Sequence, residues 1–123
     1  MRSSGYVQRM NSILYLIRGL PGSLADETID MVLVSGVFGQ PTTVLFMDDG
    51  VNQLFERNGK HPSNDTTRKW SALPTYEIER VVVHDRSIKE RRLDASRLPD
   101  FTNLVTDAQV ERLLHEAVNV VSD

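Results

Sequence analysis

Apolar residues along this chain fall into short blocks that alternate between two periods. Ile13-Leu14-Tyr15-Leu16-Ile17 is a continuous run with β-branched and aromatic content, the pattern of a strand buried on both faces within Asn11 to Arg18. Thr42 to Asp48 and Ile78 to His84 repeat the pattern, Phe101 to Val105 is a weaker fourth strand, and Val118 to Val121 a short last one. Helical spacing fills the intervals: Leu24 to Phe38 closed by Gly39, Gly50 to Glu56, Thr66 to Leu73 with Trp70, the charged Ser87 to Leu93, and Asp107 to Ala117. In the last of these, Val110, Leu113, Leu114 and Ala117 share one face. Ser23 followed three residues later by Asp26 predicts a capping box for the first helix. Strands too far apart for hairpins, alternating with helices, predict an α/β fold: a three-layer α/β/α sandwich around a mainly parallel sheet of about five strands.

At 123 residues the chain fits one domain, read as residues 12–123 behind a flexible extension of residues 1–11. Arg57 to Asp65 is turn chemistry with almost no apolar content, a surface loop that carries His61. Within the first helix, Met31-Val32-Leu33-Val34 are four consecutive apolar residues and cover most of its circumference. One face meets the sheet, and the remainder implies a second buried surface, most simply a subunit interface. Its candidates are Met31, Leu33, Val34 and Phe38, with Leu54 and Phe55 from the following helix.

Net charge of −3 supplies no global field toward nucleic acid or an anionic membrane, so neither is expected as a direct partner. The apolar segment Ile13 to Ile17 is too short to span a bilayer, and no signal-type block follows Met1 to Arg9, which reads as a cytoplasmic protein. The chain has no cysteine, which excludes a disulfide framework, a thiolate metal site and a nucleophilic or persulfide-carrying thiol.

The stretch Val44-Leu45-Phe46-Met47-Asp48-Asp49-Gly50 ends an apolar strand in two carboxylates and a glycine. The rim beyond the carboxyl ends of parallel strands is where open α/β sheets place ligands, so Asp48, Asp49 and Gly50, with His84 at the end of the third strand, form a candidate ligand rim. Clustered carboxylates suit a divalent metal or a phosphoryl acceptor, but paired acids before a helix more often cap its free amides, and that reading is preferred here. His84 beside Asp85 has the makings of a general base, yet Ser87 lies in a plain Asp-Arg-Ser-Ile context without a nucleophile elbow. His61 and His115 lack metal-ligand spacing. Arg86 and Lys89-Glu90-Arg91-Arg92 read as a solvated face, and no glycine-rich phosphate loop is present. No catalytic constellation, metal site or cofactor is expected.

The order of features resembles the DsrE/DsrF family of small sulfur-relay proteins, in particular its DsrF or TusC branch. Three segments carry the resemblance: Ile13 to Gly22 with the helix end Val32 to Phe38, then Val44 to Leu54 with Asp48-Asp49-Gly50-Val51, then Ile88-Lys89-Glu90-Arg91-Arg92-Leu93, with Arg92 where that branch has glycine. It implies a DsrE/F-like fold and a non-catalytic subunit of a relay that passes persulfide sulfur, for tRNA 2-thiolation or for sulfur oxidation. The implied partners are DsrE/TusD-like and DsrH/TusB-like subunits in a hetero-oligomer, or further copies of the chain, with a sulfur carrier protein contacted indirectly. The rival expectation is a self-assembling small-ligand- or metal-binding protein of the same fold that uses the Asp48, Asp49 and His84 rim.

Overall fold

The computed structural model describes residues 12–55 and 64–123. The N-terminal extension and His61 lie outside the described residues, as does most of the polar loop. In chain order the elements are β1 (Ile13–Ile17), α1 (Ser23–Val37), β2 (Thr42–Phe46), a 3-10 turn (Asp48–Leu54), α2 (Asn64–Trp70), a second 3-10 turn (Leu73–Tyr76), β3 (Arg80–His84), α3 (Asp85–Glu90), a third 3-10 turn (Ala95–Arg97), β4 (Thr102–Val105), α4 (Asp107–Glu116) and β5 (Asn119–Ser122). The five strands lie in the order β4-β3-β2-β1-β5, and every neighbouring pair is parallel.

Alternation along the strands divides the core into two layers. Tyr15, Ile17, Val44, Phe46, Val81 and Val83 face one way and pack with Ile29 and Val32 of α1 and Trp70 of α2. The intervening Leu14, Leu16, Leu45 and Val82, with Val105, face Val110, Leu113 and Leu114 of α4 and Ala117 just beyond its end. Coverage on both faces is why the strands read as unbroken apolar runs rather than as alternating ones. Trp70 is fully buried, meets Phe46 edge-on at 4.8 Å between ring centroids, and donates its indole N–H to Gln53 Oε1 at 2.9 Å.

The C-terminus of α1 closes on Gly39, whose φ of 68° is the left-handed conformation that glycine takes without strain. Gly39 N–H donates to Gly36 O at 2.9 Å and Gln40 N–H to Ser35 O at 3.1 Å, the paired bonds of a Schellman ending. The start differs from expectation. Gly22 is the cap and Ser23 the first helical residue, so the helix begins one residue earlier than the capping-box reading requires and its cap residue has no side chain to bond. Instead Gly22 O accepts the Asp26 N–H at 3.0 Å.

Candidate functional site at the carboxyl rim of the sheet

Five parallel strands deliver all their carboxyl ends to one rim. There the segments after β1 (Arg18, Gly19), β2 (Met47 to Gly50), β3 (His84, Asp85), β4 (Thr106, Asp107) and β5 (Asp123) converge.

The centre of the rim is a hydrogen-bonded line. Asp48 N–H donates to Ser87 Oγ at 2.8 Å, Ser87 Oγ is 2.7 Å from His84 Nδ1, and His84 Nε2 is 2.6 Å from Asp107 Oδ1. An ionised carboxylate only accepts, so the neutral imidazole carries its proton on Nε2 and donates it to Asp107. Nδ1 is then an acceptor for the Ser87 hydroxyl, whose own lone pair takes the Asp48 amide. Each polar group in the line is thereby satisfied, as buried groups must be: His84 is 5% exposed and Ser87 1%. The His84 hydrogen bond is the main cause that holds the Asp107 carboxyl below its ordinary value of 3.8, with the Arg86 guanidinium, 3.3 Å away, adding to it.

Asp107 reaches His84 because of two local features. In the parallel β3–β4 pair His84 lies opposite Val105, so Asp107 begins two residues beyond it. Thr106 then caps α4 with a reciprocal box: its hydroxyl accepts the Gln109 N–H at 3.2 Å, and Gln109 Oε1 accepts the Thr106 N–H at 2.8 Å. Sequence reasoning missed this partner and paired His84 with Asp85. The structure corrects that pairing, since Asp85 is held by Lys89 at 3.0 Å, one turn along α3. The Thr106-x-x-Gln109 box was the signal that could have placed Asp107 at a helix start on the rim.

Asp48 and Asp49 do not act as helix caps. Met47 is the cap residue of the 3-10 turn and its side chain makes no cap bond, and the free Asp48 N–H is taken by Ser87 Oγ rather than by either carboxylate. The Asp48 carboxylate accepts from Arg18 Nε at 2.8 Å, and Asp49 Oδ1 accepts from Arg91 Nε and Nη2 at 3.2 and 3.1 Å. The turn runs hard against the end of β1 at Gly50. Gly50 is buried there, and a Cβ on it would lie 2.0 Å from Ile17 O. Only a residue without a side chain lets the backbone pass. The rim thus joins Asp48 to His84 through Ser87, while Asp49 looks outward to Arg91.

Two further groups lock the rim. The Asp123 carboxylate accepts the Arg18 N–H at 2.7 Å and the Gly19 N–H at 3.2 Å. Gln53, 1% exposed, donates to Gly19 O at 2.8 Å while accepting from Trp70. Neither stood out in the sequence, because each depends on a neighbour brought from elsewhere in the chain.

In connectivity the line Ser87–His84–Asp107 resembles a hydrolase triad, but the hydroxyl is closed off from solvent and serves the backbone of Asp48. The arrangement positions strand ends. No group of three or more His, Asp or Glu suited to a metal occurs among the described residues. A groove of about 590 Å³ lies at the opposite rim, lined by Leu14, Pro41, Thr43, Glu77, Arg80 and Glu116.

The expected interface residues divide. Leu54 is a core residue at 3% exposed, and Leu33 and Phe55 are half-buried against the same core. Met31, Val34 and Phe38 stand open on α1 at 50%, 52% and 80%.

Residues 11–122 match the model of the DsrE/DsrF-like family. The chain belongs to that family. As a DsrE/DsrF-like protein it is 32% identical over 117 residues to the Protein TusC homolog of Pseudomonas aeruginosa, covering 90% of this chain and 97% of the relative. It is 30% identical over 133 residues to the Intracellular sulfur oxidation protein DsrF of Allochromatium vinosum, covering 92% and 96%. The crystal structure of the ychN protein from E. coli shares the DsrE/DsrF-like fold, with a TM-score of 0.70 over 92% of this chain and 99% of that one at 13% identity. Among the described residues of this DsrE/DsrF-like chain, no helix is long and apolar enough to cross a membrane.

Proposed function

We propose that this chain is a non-catalytic structural subunit of a sulfur-relay complex, assembled with DsrE/TusD-like and DsrH/TusB-like subunits. One observation carries the reading: a DsrE/DsrF-like chain of 123 residues without a single cysteine. Persulfide sulfur travels on a thiolate, so a chain with none supports the carrier rather than replacing it. The closed Ser87–His84–Asp107 line is consistent with a scaffold role, because it spends the best acid–base residues of the rim on holding strand ends together. The relay serves tRNA 2-thiolation or sulfur oxidation.

Co-expression with the DsrE-like and DsrH-like chains of the same genome is the test. A stable stoichiometric complex supports the reading, and a chain that purifies alone while those two assemble without it overturns it. Deletion of the gene then separates the pathways: loss of 2-thiouridine from tRNA marks the first, and loss of sulfur oxidation with intact tRNA marks the second.

A further inference from the structure

The outward arc of α1 is built in two halves. Leu24, Met31 and Phe38 recur at seven-residue spacing, with Val34 and Val37 beside them, and all five are at least half exposed. That spacing is the seam of a helix that packs against another element along its length. The N-terminal half of the same arc carries Glu27 and Asp30, both exposed and neither with a side-chain hydrogen bond or ion pair among the described residues, while Asp26 is held by Lys69 at 3.7 Å. The helix has no lysine or arginine at all.

Charge decides what can cover this face. A second copy packed parallel would set Glu27 and Asp30 against their own counterparts. Packed antiparallel about a two-fold axis, it would press those carboxylates onto the apolar Val34 to Phe38 end of the partner and strip them of water with no cation on the partner's α1 to meet them. Both arrangements leave unpaired charges in a dry contact. We infer that the outward face of α1 is the docking surface for a different chain, one whose apolar patch carries lysine or arginine opposite Glu27 and Asp30, and that the acidic end excludes self-pairing through this face. The face therefore selects partners by rejection as well as by fit.

This inference rests on the proposed role as a complex subunit and names the surface and its selectivity. The test uses the chain alone and the chain co-expressed with the DsrE-like and DsrH-like subunits. Alone, at tens of micromolar, wild type sediments without any association that Phe38→Ala removes. In the co-expressed complex, Phe38→Ala and the double variant Glu27→Lys/Asp30→Lys each weaken assembly about tenfold or more, and the neutral pair Glu27→Gln/Asp30→Asn flattens its dependence on salt. The altered side chains are exposed, and unchanged circular dichroism excludes misfolding. A wild-type complex that tolerates these variants overturns the inference and leaves the proposed function standing. A self-dimer broken by Phe38→Ala also overturns it. Absence of any complex with wild type sinks both.

Discussion

His84 Nε2 lies 2.6 Å from Asp107 Oδ1 across 23 residues of sequence, and this one contact ties the end of β3 to the start of α4. Asp107 is held below its ordinary value of 3.8 chiefly by that hydrogen bond, so its ionised form is favoured by folding. For a carboxyl lowered in the folded state, the stabilisation is full above the ordinary value and is lost as pH falls through the folded one. Asp107→Asn is therefore expected to be less stable than wild type at neutral pH. The gap should narrow steadily in urea titrations taken below about pH 4. A gap independent of pH would sink the argument.

Ser87→Ala removes the hydroxyl that serves both Asp48 N–H and His84 Nδ1. Two buried groups lose their partner for the loss of one oxygen. Chemical denaturation should report a cost of about 1–3 kcal/mol. Stability within a few tenths of wild type would mean that water enters the line.

Gly50→Ala places a methyl 2.0 Å from the Ile17 carbonyl, against backbone that cannot rotate away. The expected loss is about 3 kcal/mol, with poor recovery of folded protein. Gly22→Ala is the control, since nothing lies within 4 Å of its Cβ position.

Trp70→Phe preserves an aromatic ring near Phe46 but leaves Gln53 Oε1 without its donor. We expect a loss of about 1–3 kcal/mol, against about 3–5 kcal/mol for Trp70→Ala, measured by thermal and urea unfolding. Trp70 is the only tryptophan, so the wild-type transition can be followed by its own fluorescence.

Much of the scaffold was legible because the three central strands β1, β2 and β3 are buried on both faces, and that burial writes itself into the chain as runs such as Val44-Leu45-Phe46 and Val81-Val82-Val83. Gly39 was readable as a helix stop for an equally local reason. The rim was not, since its partners are chosen by strand order. Asp48 meets Arg18 and Asp49 meets Arg91 at separations of 30 and 42 residues, and nothing near either acid announces an arginine. His84 looked to its neighbour Asp85 because adjacency in sequence stood in for adjacency in space. Leu54 and Met31 carry similar apolar side chains, yet one fills the core and the other faces outward. Only the packing of the 3-10 turn against α2, α3 and β3 separates them.

The Asp123 carboxylate on the Arg18 and Gly19 amides has a kinetic and competitive meaning of its own. A turn between a strand and a helix, with two backbone N–H groups aimed at one point, is the geometry that captures phosphate or sulfate in many α/β proteins. Here the counter-ion is tethered, so folding delivers it at an effective concentration on the order of millimolar or higher. A free anion of ordinary affinity must outcompete a ligand that never diffuses away.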